Sequence, residues 1–420
     1  MSASIYIDDL EHPHLPAPVR ALNAALAPVA DRIRLDAGSV RAAAEKKTGL
    51  RDFGPSTYEP GLGALTTSLE RDANLTPAGR LMARQLLTQL LVTRLRLFDV
   101  LERHPEIRDE PIERPVVIMG LPRTGTTHLH TTLARDDRLR ALPYWESLEP
   151  IPDPATWPPP DGKVDPRVKR CAGALKLQHW VMPLFPAMHE MTVEGPHEEI
   201  QLLAAEFETM FFEAAYRVPS YVRWYRTSDH RHAYRFLRLV LQALQWLRGG
   251  RRWVLKSPQH LETLPVLLET FPDAVVVQTH RDPVAVTASL VMMEAYGRRM
   301  QHAAVDLHEV GAHWSERIEA MLRASVVDRE QLPDDRVIDV RFDRFMADEL
   351  GTVARVLDAA GLPLDHAARR AVERHLADNP RGKHGRIAYD LARFGIDEAE
   401  RRAAFTFYVE RFGVPEEALG

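Results

Sequence analysis

"PVVIMGLPRTGTTHLH", residues 115–130, decides how this chain is read. Its first part, "PVVIMG" (115–120), is a continuous apolar, β-branched run ending in glycine. Such a run suits a strand buried on both faces of a parallel sheet. "TTHLHTTLARD" then reads as a helix. A strand, a glycine loop and a helix N-terminus make an anion site, because free backbone N–H groups and the positive end of the helix dipole converge there. Gly120 and Gly125 have the spacing of a nucleotide phosphate loop, which continues with Lys and Ser/Thr. Here Thr126 stands in the place of that lysine, Thr127 follows, and the cation is Arg123, inside the loop. Without the lysine, nucleoside triphosphate chemistry is disfavoured. A guanidinium at residue 123 is fixed in charge and forked, so it can neutralise charge developing on a bridging oxygen.

Working outward, "RRWVLK" (251–256), "DAVVVQTH" (273–280) and "DRVIDVRF" (335–342) are three more strand candidates, with "PQHLETLPVLLETF" (258–271) as a crossover helix. Strands alternating with helices predict a doubly wound α/β sheet. Residues 1–110 read as a helical extension packed on the α/β part, 111–420. In the extension Thr76 is placed as N-cap and Pro77 as the first residue of a long amphipathic helix. Seven prolines between 149 and 166 predict a semi-rigid surface loop. A helical insertion over about 167–250 follows, with "EEIQLLAAEFETMFFEAAY" (198–216) its clearest stretch.

The 420 residues are 45% hydrophobic and 27% charged, a soluble globular balance. A net charge of -5 gives no basic face for nucleic acid. The single cysteine, Cys171, excludes an intramolecular disulfide framework and suits a reducing compartment. The N-terminus "MSASIYIDDLEHPHLP" lacks an apolar signal core, and no apolar run reaches the length of a membrane span. The expectation is a soluble, cytoplasmic protein.

Two further blocks carry chemistry. "THRDPVAVTASL" puts Arg281 directly after a strand and Ser289 eight residues later. With a helix starting near Pro283, the hydroxyl can face the same pocket as the guanidinium, a sensible pair for a terminal phosphate. "WVLKSPQHL" puts Lys256 at a strand end and His260 one turn on. Ligands of open α/β sheets bind at that edge. "HLH" (128–130) and "HEMTV" (189–193) lack metal-chelating spacing, so no metal is expected, and "HRH" (230–232) is expected to face solvent.

These blocks together resemble the sulfotransferases that use 3′-phosphoadenosine 5′-phosphosulfate (PAPS). "PRTGTT" is similar to their 5′-phosphosulfate loop. Cytosolic members carry lysine where Arg123 stands, and tyrosylprotein sulfotransferases carry arginine. The spacing from Arg281 to Ser289 matches the family's 3′-phosphate motif, and Lys256-Ser257-Pro258 is similar to the lysine-x-proline of the tyrosylprotein enzymes. The resemblance implies a P-loop-like α/β fold, a parallel sheet flanked by helices with an N-terminal extension and a helical insertion. It implies sulfuryl transfer to a hydroxyl, or an amine, of a small-molecule, lipid or glycan acceptor, leaving adenosine 3′,5′-bisphosphate. Pro122, Arg123, Thr124, Gly125, Thr126 and Thr127 would bind the donor with Arg281 and Ser289, and Lys256 would stabilise the sulfuryl group. Phe342 stands where the family often has an aromatic near adenine. Arg381, Gly382 and Lys383, in "NPRGKHGR" (379–386), resemble its loop over the 3′-phosphate. Glu146 lies 23 residues after Arg123, a separation comparable to that of the glutamate base in related enzymes, with His260 the alternative base. His197, in "EGPHEEIQ", is a weaker third. The acceptor site is expected in the variable helical parts, with "FPAMH" (185–189) and "YVRWYR" (221–226) as aromatic candidates. A homodimer stays open. The rivals are a kinase with a degenerate loop and a non-catalytic nucleotide-binding protein.

Overall fold

A computed structural model describes residues 4–250, 252–333, 336–379 and 386–419. The four apolar runs all become strands, and all pair in parallel. Strand β1 (Ser4–Ile5) pairs only with β7 (Arg386–Ile387). The main sheet holds β2 (Val116–Met119), β3 (Arg140–Ala141), β4 (Trp253–Lys256), β5 (Val275–His280) and β6 (Val337–Arg341), in the order β3-β4-β2-β5-β6. Strand β2 is central. Ile118 lies opposite Lys256 on one side and Val277 on the other. The C-terminal ends of β4, β2 and β5 therefore open on one edge, with Lys256, the glycine loop and Arg281 side by side. The edge strand β3 escaped the sequence because two residues make no apolar run.

Alternation divides the sheet between two cores, as the pleat requires. Val116, Ile118, Val254 and Val277 face a cluster with Leu129, Leu133, Val353 and Val356. Val117, Met119, Leu255 and Val276 face a larger cluster that runs into the N-terminal helices. Those helices are α1 (Ala17–Leu26), α2 (Ala37–Thr48), α3 (Glu59–Arg71) and α4 (Pro77–Arg103). Thr76 caps α4 by accepting from Gly79 N at 3.0 Å. The extension thus shares one apolar core with the sheet.

The loop leads into α5 (Thr126–Leu133), followed by α6 (Tyr144–Leu148), α7 (Pro166–Val181) and α8 (Phe185–Met188). The stretch 198–216 is not one helix. It splits into α9 (Ile200–Leu203), a 3-10 turn (Ala204–Glu206) and α10 (Phe211–Ala215), with Phe207 at φ 58° between them. Its acidic side chains are drawn to different partners. Glu199 goes to His260, Glu206 to Arg94, Glu208 to His230 and Glu213 to Arg317. Four buried carboxylates with four directions outweigh helix propensity. The regular helices of the insertion are α7 and, after α11 (Pro219–Tyr225), α12 (Arg231–Arg248).

The crossover 258–271 is also divided: a 3-10 turn Pro258–Leu261, then α13 (Leu264–Thr270). Past it come α14 (Pro283–Arg298), α15 (Leu307–Arg329) and α16 (Phe342–Ala347). His230 is buried against Tyr225, ring centroids 4.7 Å apart, instead of facing solvent; Arg231 and His232 of that triplet are exposed. No helix among the described residues is long and apolar enough to cross a membrane.

Candidate active site

Pro122 to Thr127 turn tightly between β2 and α5. Gly125 sits at φ 87°, in the left-handed region that favours glycine. A Cβ on Gly120 would lie 2.0 Å from Thr279 Oγ1, so the turn can pass the end of β5 only without a side chain. Thr124 Oγ1 donates to Leu121 O at 2.6 Å and lies 2.6 Å from Thr279 Oγ1, which locks the loop to β5. Gly125 gives α5 no side-chain cap, and the first-turn N–H groups have no intrahelical acceptor.

Arg123 has φ 72°, which costs a non-glycine residue about 1 kcal/mol or more. That conformation swings its side chain across the cleft. Nε donates to Ser289 Oγ at 2.9 Å, and Nη1 donates to Met188 O of the insertion. Arg281 Nη1 in turn donates to Arg123 O at 2.7 Å, spanning 158 residues of chain. Asp282 caps α14 by accepting from Val284 N, and this orientation places Ser289 in the same cleft, 3.1 Å from Tyr389 OH. The two arginine motifs therefore meet. The Arg281 guanidinium lies 4.3 Å from the centre of the Phe342 ring, and that ring abuts Gly125. Its Nε and Nη2 form a fork on Glu417 of the C-terminal segment, 2.7 Å to each oxygen. Arg381, Gly382 and Lys383 lie outside the described residues.

Lys256 leaves β4 beside the loop. Its Nζ donates to Thr127 Oγ1 at 3.3 Å and pairs with Glu198. Its backbone N–H donates to Glu199 Oε2 at 2.8 Å. Arg123, Thr127, Lys256, Arg281, Ser289 and Phe342 thus share one cleft at the strand ends. The insertion closes one side with Met188, His189, His197 and Glu198.

Glu146 and His260 are placed differently. The Glu146 side chain is 1% exposed and is held by Arg140 at 3.1 Å and Arg248 at 3.4 Å. Arg140 itself stacks on Trp253, 4.2 Å from the ring centre. His260 is 0% exposed, with Nδ1 2.6 Å from Tyr234 OH and Nε2 2.6 Å from Glu199 Oε1. Both ring nitrogens are committed to neighbours, so the imidazole buttresses the wall through Glu199. Its place on a tight 3-10 turn, not one turn along an α-helix, is what buries it.

The histidines lining the cleft are weak bases. Burial, then the charges of Lys256 and Arg123, pushes His189 down to about 3. Burial pushes His197 well below its usual range, with His189 and Lys256 adding to it. His130, beneath the loop, falls to about 4, first by burial and then through Lys256. Tyr144 packs on His197 with ring centroids 4.3 Å apart, and Phe185 on His189 at 6.1 Å. So "FPAMH" reaches the cleft. "YVRWYR" instead builds core: Tyr221 OH donates to Phe207 O at 3.0 Å, and Tyr225 OH bonds Glu262.

The sequence reading passes over Glu198, Glu199, Tyr389 and Glu417. The adjacent carboxylates in "PHEEI" are the signal that points to the first two. Among the described residues no group of three or more His, Cys, Asp or Glu side chains could hold a metal ion.

Comparison with known proteins gives the family and the fold. The model of the sulfotransferase family, Sulfotransfer_3, matches residues 115–366. Crystal structures of sulfotransferase STF1 from Mycobacterium tuberculosis H37Rv and STF9 from Mycobacterium avium superpose with TM-scores of 0.76 and 0.80. They are 30% and 27% identical, covering 88% and 91% of this chain and 98% of each of theirs. Omega-hydroxy-beta-dihydromenaquinone-9 sulfotransferase Stf3 from Mycobacterium bovis and Mycobacterium tuberculosis is 25% identical over 284 residues, 63% of this chain and 67% of the relative. The chain belongs to the sulfotransferase family, with its P-loop-like fold, and is an enzyme of sulfuryl transfer.

Proposed function

We propose that the sulfuryl donor is PAPS and that the acceptor is a hydroxyl on a small, largely apolar molecule. The observation that carries the donor reading is the junction of the two arginine motifs. Arg281 bonds the carbonyl of Arg123, and the Arg123 side chain bonds Ser289. A donor with phosphate at one end and phosphosulfate at the other needs cations that close together. Arg281 and Ser289 would take the 3′-phosphate, with Phe342 beside the adenine. Pro122 to Thr127 would take the 5′-phosphosulfate. Arg123 and Lys256 would offset charge on the leaving and equatorial oxygens, where fixed cations in a partly dry cleft act strongly. The acceptor reading rests on the aromatic and neutral-histidine wall, Tyr144, Phe185, His189 and His197, and on the hydroxylated menaquinone named for the relative Stf3.

The test is thermal shift with adenosine 3′,5′-bisphosphate, 5′-AMP, and ATP with Mg²⁺. The expected result is selective stabilisation by the bisphosphate. A preference for ATP with Mg²⁺ would favour the kinase rival and defeat the reading.

A further inference from the structure

We propose that Glu198 is the base that takes the acceptor's proton, an assignment that rests on the donor reading above. Transfer from a neutral hydroxyl needs a proton acceptor next to the attacking oxygen. That oxygen must approach the sulfur held between the loop and Lys256. The carboxylate of Glu198 is already on Lys256 Nζ, and the same ammonium donates to Thr127 at the start of α5.

Position separates Glu198 from its competitors. Its side chain is 18% exposed while Lys256 is 4% exposed, so the carboxylate lies on the wet side of the ammonium, where an acceptor enters. Glu146 is sealed between two arginines. Glu199 is fully buried and serves His260 and the Lys256 backbone. His260 has no free nitrogen. His189 and His197 would have to become cations in a buried site beside Lys256, and burial with that charge opposes it. Of these groups, Glu198 alone combines access with direct contact on the Lys256 ammonium.

In the step, the acceptor oxygen forms the new O–S bond. The S–O bond to the 5′-phosphate breaks, and its electron pair stays on the phosphate oxygen. The acceptor's proton moves to a carboxylate oxygen of Glu198, and from there to water after product leaves. Freed of its charge, Glu198 releases Lys256 to the departing phosphate.

The test pairs Glu198→Gln with Glu198→Asp. Glutamine keeps the shape and an oxygen for Lys256 but cannot hold the proton. Single-turnover release of adenosine 3′,5′-bisphosphate from PAPS is followed with the fastest acceptor in a panel of alcohols and phenols, or with water if none is faster. Affinity for the bisphosphate is measured alongside by calorimetry. Expected for Glu198→Gln is a rate loss of about 10²–10⁴-fold with affinity within about twofold of the unaltered chain. Glu198→Asp should fall between. A Gln variant within about threefold of the unaltered rate overturns the assignment. So does a loss of affinity that matches the loss of rate, since Glu198 would then only position Lys256. Either failure with selective bisphosphate binding intact leaves the donor reading standing. An unaltered chain that does not bind the bisphosphate overturns both.

Discussion

Arg123 ties the cleft together through both its side chain and its backbone carbonyl. Its left-handed backbone turns the guanidinium out of the loop, toward Ser289 on one helix and Met188 on another. The arginine is legible from the sequence because it is the cation of a loop that lacks the usual lysine. Its backbone conformation was not, since nothing local demands it. The histidines show the same division. Their residue type is plain in the sequence, but their neutrality comes from burial beside Lys256 and Arg123. That neutrality has a consequence for stability. His130 and His302 are held near 4 and His189 near 3, against an ordinary value of 6.5. Between these limits the unfolded chain binds protons that the native chain refuses, so stability falls as pH falls below 6.5. Each such histidine contributes about 1.4 kcal/mol per pH unit across the window. The melting temperature should drop from pH 7 to pH 5, and His189→Gln should flatten the drop. An unchanged slope in that variant would show that His189 titrates normally.

At the level of elements, strands were the readable part. A four-residue run such as "VVIM" between proline and glycine has few other uses, and β2, β4, β5 and β6 all follow from such runs. The insertion was opaque for the opposite reason. Its carboxylates are paired with residues far away in sequence, and those pairings broke a helical pattern into short pieces. The C-terminal segment is another element that only the fold could place. Glu417 forks onto Arg281 at 2.7 Å, its backbone N–H bonds Asp282 at 2.7 Å, and Arg402 holds its carbonyl. A carboxylate so placed occupies the donors that a terminal phosphate would need in the proposed reading. Glu417→Gln should therefore tighten binding of adenosine 3′,5′-bisphosphate about two- to fivefold, the scale of a partly exposed ion pair. Calorimetry decides it. Weaker binding would mean that Glu417 orients Arg281 instead of competing for it.

For the whole molecule, the sheet order explains why the site exists. Central β2 carries the loop, and its neighbours β4 and β5 bring Lys256 and Arg281 to the same edge. The N-terminal helices and the insertion pack on one face through a shared core, which lets α8 and "PHEE" close over that edge. The sequence motifs named Arg123, Lys256, Arg281 and Ser289, which the fold brings to one cleft and which the proposed reading makes its donor half. The facing side of the cleft is built by tertiary contacts, so Glu146 and His260, chosen by spacing, stand in ion-paired and hydrogen-bonded niches, and Glu198 lies on the lysine. The central claim is that Arg281 with Ser289 and the Arg123 loop hold opposite ends of one donor. Calorimetry of the unaltered chain and Arg281→Ala with adenosine 3′,5′-bisphosphate and with 5′-AMP tests it most directly. The account predicts that the variant loses about 10- to 100-fold in bisphosphate affinity, as expected for a charged hydrogen-bonded contact, while 5′-AMP binding is unchanged. Equal losses for both nucleotides, or no advantage of the bisphosphate in the unaltered chain, would contradict it.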